Sequence, residues 1–389
     1  MAEDTIPLVV HLIYRLDFGG LETLLVDCIN HMPVKKYRHA VICLTNHSVF
    51  SEKITRKNVP IFDLNKPAGL GLGTHITLWK LLRKLRPAIL HTYNLSANEY
   101  AFTASLAGVP VRIHAEHGRD INDPFGLNRK HNLLRRWMTP FIDQYVAVSQ
   151  DLYHWLQQSI HVPDKKNLLI HNGVDTQRFS PDNDITATTP WPADCFVIGT
   201  VGRAQDIKNQ SGLIRAFILL RHALPEYQDK LRLSIIGDGP LLPDLRQQVA
   251  DAGISEVVWL PGARSDIASI MRGFSLFSLP SLAEGTPVTL LEAMSSGLAV
   301  VASRVGGIPE VIQDGIHGAM VTAGDDAAFS KAFASYCQQP ALLKQHGAAA
   351  SQYVRQKFSV TAMVNSYANL YDALCKTKFK ESSKPCVES

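Results

Sequence analysis

Short, nearly continuous apolar runs punctuate the first half of the chain: Leu8–Ile13, His39–Leu44, Pro60–Leu64, Ala88–His91, Val111–Ala115 and Tyr145–Val148. Runs without polar alternation predict strands buried on both faces. Between them lie stretches with apolar residues at helical spacing, such as Leu21–Met32 and His75–Leu85. That alternation predicts βαβ units and a parallel sheet. Residues 180–194 are polar and proline-rich, which predicts a linker. The alternation then resumes, with strands expected at Phe196–Val201, Leu231–Ile236, Val257–Leu260, Leu276–Leu279 and Ala299–Ala302. The expected fold class is α/β, with Rossmann-like doubly wound domains at 1–180 and 195–358. Ligands of such sheets bind beyond the carboxyl ends of the strands, so two of them face to face would make a cleft. Thr361–Leu374 reads as a helix, with Met363, Val364, Tyr367, Leu370 and Leu374 on one face, and the polar tail 375–389 is expected to be disordered.

Composition narrows this picture. The 389 residues suffice for two or three domains. No apolar stretch approaches the roughly 18 residues of a membrane span. Glu3 and Asp4 stand where a secretory signal would carry lysines. Cys28, Cys43, Cys195, Cys337, Cys375 and Cys386 are scattered, without a C-x-x-C pair. That spacing argues against zinc or a disulfide framework and fits a reducing cytoplasm. Charge is uneven: residues 1–180 hold 21 Lys and Arg against 15 Asp and Glu, the remainder 18 against 20. The excess gathers in Lys35 to Arg38, Lys53 to Lys57, Arg83 to Arg86 and Arg129 to Arg136. Such runs are either solvated helix faces or a surface drawn to an anionic membrane or acidic acceptor. Nucleic acid is not expected, since no binding motif accompanies the charge.

Glu284 and Glu292 are the most informative candidates. They sit in Ser281-Leu-Ala-Glu284-Gly285-Thr286-Pro287-Val288-Thr-Leu-Leu-Glu292. Pro287 suits the first position of a helix and Thr286 its N-cap. Glu284 would precede the helix mouth and Glu292 would lie on its second turn. Helix-start N–H groups attract anions, and flanking carboxylates accept hydrogen bonds from hydroxyls, which together suit a nucleotide sugar. The plainer alternative is that both acids offset the helix dipole. Gly202-Arg203 and Lys208 follow the first strand of the second half and suit a diphosphate, unless they merely pair with Asp206. Gly19-Gly20 can approach a phosphate or simply make a turn. Gly237-Asp-Gly239 lacks the third glycine of a dinucleotide fingerprint and reads as a tight turn. Asp182-Asn-Asp184 lies in the linker and is discounted as a metal motif, and His114-Ala-Glu-His117 does not have metalloprotease spacing. His117-Gly118 ends a strand and opens a loop with Arg119, Asp120, Asn122 and Asp123. It is a ligand candidate, although on its own a structural histidine is the better reading.

Taken in order, these pieces resemble the retaining glycosyltransferases of family 4, with the GT-B fold. The resemblance spans about residues 8–372 and includes Gly19-Gly20, His117-Gly118, Val146 to Ser149, Asn172 to Asp175, Gly202-Arg203 with Lys208, Gly237 to Pro240, Glu284 with Glu292, and Gly306 to Glu310. His11 to Thr45 and Tyr145 to Asp151 look more narrowly like sugar transferases of bacterial exosortase-associated exopolysaccharide clusters. The resemblance implies a retaining, metal-independent transfer from a nucleotide sugar to a glycan or lipid-linked glycan. It implies that Arg203 and Lys208 hold the donor diphosphate, Glu292 the ribose, and Glu284 the transferred sugar. Gly19, Gly20, Gly285, Thr286, Pro287 and Val288 would line the donor site, His117 would meet the donor sugar, and helix 361–374 would cross back onto the first domain. No cofactor or metal is expected. The expected location is the cytoplasm, at the inner face of the membrane if the basic runs bind it. A nucleotide-sugar epimerase or a non-catalytic donor-binding protein are the alternatives, and a nicotinamide dehydrogenase lacks its fingerprint.

Overall fold

The computed structural model describes residues 6–69, 71–120, 123–182, 184 and 186–382. Asn122 of the loop after Val111–Ala115, and residues 383–389 of the expected tail, lie outside the described residues. The chain forms two units. One gathers the described residues up to Asn172 and from Val360 onward, and the other is Gly173–Ser359.

The first unit holds β1 (Leu8–Ile13), β2 (Arg38–Cys43), β3 (Ile61–Asp63), β4 (Ile89–Tyr93), β5 (Val111–Glu116), β6 (Gln144–Ala147) and β7 (Asn167–Leu169). They form one parallel sheet in the order β3-β2-β1-β4-β5-β6-β7. The second unit holds β8 (Phe196–Val201), β9 (Leu231–Ile236), β10 (Val258–Gly262), β11 (Leu276–Leu279), β12 (Ala299–Ser303) and β13 (Gly318–Val321). These are also parallel, in the order β10-β9-β8-β11-β12-β13. Both are doubly wound, and strand order reverses between β1 and β4 in one sheet and between β8 and β11 in the other. Those reversals are where such sheets leave room for ligands. Two further strands, β7 and β13, are not expected from the sequence; both are short and lie at a sheet edge.

The continuous apolar runs have their physical reason in the second unit. Val300 and Ala302 pack on one face with the helix Val288–Ser295, while Ala299 and Val301 pack on the other with the helices Gln210–Ala223 and Asp326–Gln338. Successive residues of one strand thus enter different cores, and neither side reaches water.

Two boundaries differ from expectation. The units divide at Asn172 and Gly173, so the stretch 180–194, expected as a linker at the boundary, falls within the second unit. Most of it is strapped to the second unit. Phe179 just ahead is buried against that unit's core, and its carbonyl accepts from Ser295 Oγ. Arg272 donates to the Pro181 carbonyl at 2.7 Å, Thr188 Oγ1 to Asp266 at 3.0 Å and Trp191 Nε1 to Ser234 Oγ at 3.0 Å. The expected disordered tail is also shorter, because the last helix runs from Val360 to Ser382. Its apolar face continues past Leu374 with buried Cys375, and Lys378 pairs with Asp143 at 2.9 Å.

This last helix covers a buried histidine and tyrosine layer on the first sheet. His11 on β1 is in register with His91 on β4, and Val9 with His39 on β2, so the three histidines share a face. His11 links Tyr93 and His39 at 2.9 Å each, and His91 Nδ1 meets Tyr371 of the last helix at 2.8 Å. Burial pushes His11 down to about 3 and holds His39 and His91 well below the ordinary imidazole value. The folded layer is therefore neutral at physiological pH.

Folding stability is expected to fall with acid. Each depressed histidine stays neutral in the fold but takes a proton in the unfolded chain below about pH 6.5, costing up to ~1.4 kcal/mol per group and pH unit. Urea unfolding at about pH 6 and about pH 5 should give a loss near 4 kcal/mol from the three together. His39→Gln should remove about a third of that slope, and an unchanged slope would contradict a neutral layer. A second test concerns the turn after β9. Gly237 has φ +140°, and a Cβ there would lie 2.0 Å from the Gly202 carbonyl oxygen. Gly237→Ala should cost more than about 2 kcal/mol. Gly73, in the helix Leu72–Leu85, has open space around it, so Gly73→Ala should stabilise by about 0.5–1 kcal/mol. Equal effects at both positions would show that the close approach is not what requires glycine.

Candidate functional site

At the carboxyl end of β8 the chain turns sharply through Gly202-Arg203-Ala204. The Gly237–Gly239 turn lies directly upon it, with Ala204 N–H donating to the Asp238 carbonyl at 3.0 Å. A Cβ on Gly239 would meet the Ala204 carbonyl oxygen at 2.4 Å. Gly237 and Gly239 thus serve backbone packing, as a tight turn would. Gln210 donates to the Arg203 carbonyl at 2.9 Å, while the Arg203 side chain is exposed and has no ion pair among the described residues. A single 3₁₀ turn, Asp206–Lys208, follows. Asn209 ends it in the left-handed region at φ 51°, a conformation that asparagine tolerates nearly as glycine does.

Lys208 reaches the loop after β11. Its Nζ lies 2.6 Å from Glu284 Oε1, and Ser281 Oγ donates to the same oxygen at 2.6 Å. The Leu282 N–H donates to the Ile207 carbonyl at 2.8 Å, tying the two loops together. The Lys208 and Glu284 side chains are 24% and 8% exposed, so this pair is only partly screened by water. Asp206 pairs with neither Arg203 nor Lys208 among the described residues, contrary to the plainer reading of these cations. The contact lies where strand order reverses in the second sheet.

The next helix is Val288–Ser295, with Pro287 at its N-cap. It starts one residue later than expected: Pro287 is not the first helical residue and Thr286 is not the cap. Pro287 instead takes extended backbone (ψ 121°), and its carbonyl accepts the first N–H groups of the helix, from Leu290 and Leu291. Glu292 remains on the second turn and is buried. Glu284 and Gly285 are held from below by Gly306-Gly307. Gly307 N–H donates to the Gly285 carbonyl at 3.1 Å, and a Cβ on Gly306 would sit 1.8 Å from the Glu284 carbonyl oxygen.

In the first unit, Gly19 caps the helix Gly20–His31 in extended backbone. A Cβ on Gly19 would strike the Glu22 carboxylate at 2.1 Å, so Glu22 folds back over this helix start. His117 follows β5. Its N–H donates to Asn94 Oδ1 at 2.8 Å, and both ring nitrogens are enclosed without a partner among the described residues. Burial pushes His117 down to about 4, against the pull of Glu116, so the ring is a neutral donor and acceptor.

Within the second unit, then, the folding brings Lys208 and Glu284 into contact. Ser281, Gln210 and Asn94, which hold Glu284, Arg203 and His117, escaped sequence reasoning. Ser281 alone carried a signal, three residues before Glu284. The basic run Arg129 to Arg136 is corrected as well: Arg135 is buried, 2.6 Å from Glu116 and stacked 4.8 Å over Trp155, so it is no surface cation.

Residues 18–178 match the family described as Glycosyltransferase Family 4, and residues 195–339 match Glycosyl transferases group 1. A lipopolysaccharide core biosynthesis mannosyltransferase, LpcC of Rhizobium leguminosarum bv. viciae, is 31% identical over 63% of this chain and 69% of its own. The UDP-Gal:alpha-D-GlcNAc-diphosphoundecaprenol alpha-1,3-galactosyltransferase of Escherichia coli is 28% identical over 66% and 68%. The fold is that of Anabaena HepE, solved with UDP-glucose, at a TM-score of 0.80, 19% identity and 94% and 100% coverage. The chain therefore belongs to glycosyltransferase family 4 and is a glycosyltransferase of GT-B type.

Proposed function

We propose that this glycosyltransferase moves a sugar, with retention, from a nucleotide-sugar donor to a lipid-linked glycan during exopolysaccharide assembly. The observation that carries the reading is the Lys208–Glu284 contact, with Arg203 beside it, at the strand-order reversal of the second sheet. Breaking a sugar–phosphate bond leaves negative charge on the departing diphosphate. Lys208, held by Glu284, is preorganised to stabilise that charge as it grows, and exposed Arg203 adds a second cation from the same loop, a role that needs no metal or cofactor in this reading. Glu284 shares its carboxylate among Lys208, Ser281 and, in the complex, hydroxyls of the sugar. Glu292 takes the ribose, and the backbone of Gly19, Gly20 and Gly285 to Val288 lines the donor. Neutral His117 offers a ring nitrogen to the sugar without adding charge. Retention follows from front-face attack: the acceptor hydroxyl bonds to the anomeric carbon as the bond to phosphate breaks, and its proton passes to the leaving phosphate oxygen. The acceptor class is supported by the Escherichia coli relative, whose name specifies a diphosphoundecaprenol-linked sugar. The exopolysaccharide setting rests on the likeness of His11 to Thr45 and Tyr145 to Asp151.

Lys208→Ala should lower kcat by about 10²–10³, the scale of one lost electrostatic stabiliser. It should also cost about 1–3 kcal/mol of folding stability, because the enclosed Glu284 carboxylate loses its cation. Turnover of UDP-sugars onto a polyprenyl-diphosphate sugar, with product anomers assigned by NMR, reads both outcome and stereochemistry. Undiminished kcat in the variant removes the leaving-group role, an inverted product removes retention, and conversion of donor without acceptor points to an epimerase. Ser281→Ala should lower kcat/KM roughly tenfold by freeing Glu284, with UDP affinity little changed. An equal loss of UDP affinity would mean that Ser281 supports the whole loop rather than Glu284.

A further inference from the structure

Large apolar side chains left in water are unevenly shared between the two units. Of the sixteen exposed among the described residues, only Leu219, Leu282 and Ile316 belong to the second unit. In the first, four fall within a single stretch of the chain. Phe125 and Leu127 are 64% and 78% exposed, and Leu133 and Trp137 of the helix Arg129–Met138 are 43% and 64% exposed. Leu133 and Trp137 stand four apart and so share a helix face, with Arg129 one turn before. Arg129, Lys130 and Arg136 are exposed around them. Arg136 is tethered to the carbonyls of Ile160 and Ser159, while Arg129 and Lys130 have no ion pair among the described residues. No Asp or Glu occurs from Pro124 to Met138.

The loop bearing Phe125 and Leu127 is built, not slack. The Asp123 carboxylate accepts from the N–H groups of Leu127 and Asn128 at 2.8 and 2.9 Å. Asn132 and Trp155 both donate to the Gly126 carbonyl, at 2.8 and 3.3 Å. Beneath it, Arg135 is locked to Glu116 and stacked on Trp155, anchoring the helix from its inner face. The fold thus leaves four apolar side chains of one short stretch in water, with the exposed cations Arg129, Lys130 and Arg136 in that same stretch.

We infer that this face, Phe125, Leu127, Leu133 and Trp137 with Arg129 and Lys130, docks on an anionic lipid bilayer. Apolar side chains on an amphipathic surface enter the boundary between headgroups and acyl chains, and the cations meet lipid phosphates. Trp137 suits that boundary, with an apolar body and one N–H. Nucleic acid would match the cations but leave the apolar groups in water. A second copy would bring Arg129 and Lys130 to a stretch that has no Asp or Glu of its own to receive them. The inference is independent of the transfer reaction, because docking is measured without donor or acceptor.

Sedimentation of the full chain with phosphatidylglycerol/phosphatidylcholine vesicles, and with pure phosphatidylcholine, tests it. Wild type should bind the anionic vesicles and lose binding as salt rises. Arg129→Glu with Lys130→Glu should reduce low-salt partitioning by at least about tenfold. Leu127→Ser with Trp137→Ser should reduce it by a similar factor while retaining the wild-type thermal midpoint. Trp137 emission should shift to the blue on binding, a change absent from Trp137→Phe. Absence of wild-type binding, or wild-type binding by the Leu127→Ser, Trp137→Ser variant, overturns the proposal. So does a dimer that Trp137→Ser dissolves in a protein that ignores vesicles, for the face would then be a self-association surface.

Discussion

Backbone lying directly on backbone is the constraint on which the second unit's site depends. Three glycines allow it. Gly237 and Gly239 let one turn rest on the Gly202–Ala204 loop, and Gly306 lets another rest under Glu284, where the next N–H, of Gly307, bonds to the Gly285 carbonyl. A Cβ at Gly237, Gly239 or Gly306 would overlap a carbonyl oxygen. The loops that carry Arg203 and Glu284 are therefore held by peptide groups on rigid sheets rather than by adaptable side chains. Only then can a lysine amine and a carboxylate from different strand ends settle 2.6 Å apart. Preorganisation of this kind is what lets fixed charges act on a reacting group without first reorganising.

Most of the architecture was legible because each of its signals is local. Strands such as Leu231–Ile236 were found within a residue, since a parallel strand covered on both faces has to be apolar throughout. The strand-end positions of Arg203, Glu284 and His117 follow directly once the strands are placed. What could not be read was decided across the chain. A proline-rich stretch looks like a linker until Thr188 and Trp191 are seen bonded to distant Asp266 and Ser234. Residues beyond Leu374 look solvated until Cys375 is found buried and Lys378 paired with Asp143. The helix after Pro287 begins one residue late because proline's fixed φ is as compatible with a cap as with a first turn.

The histidine layer was the least legible feature, and the reason is chemical. Histidine in an apolar run is ambiguous: it is a polar interruption if charged and a flat, hydrogen-bonding core residue if neutral. His11, His39 and His91 lie far apart in sequence, and only the parallel register sets them on one face, where Tyr93 and Tyr371 supply partners. Such a layer specifies how the last helix seats on its own unit. An all-apolar seam would leave that helix freer to slide, whereas His91 meets the Tyr371 hydroxyl at one register only.

The basic run at 129–136 illustrates why charge counted along a sequence is a poor guide to charge offered to a partner. Three arginines on one helix meet three environments. Arg135 is drawn inward by Glu116 and contributes nothing to the exterior field. Arg136 spends its N–H groups on two carbonyls yet leaves its charge at the surface. Arg129 keeps both charge and donors toward solvent. The helical repeat alone makes this division, since positions 129, 133 and 137 share a face that position 135 turns away from. The same geometry sets Leu133 and Trp137 beside the outward cations. An interaction surface on this helix is therefore defined by which side chains burial leaves over, and only the packing of Trp155 and Glu116 beneath it reveals which those are.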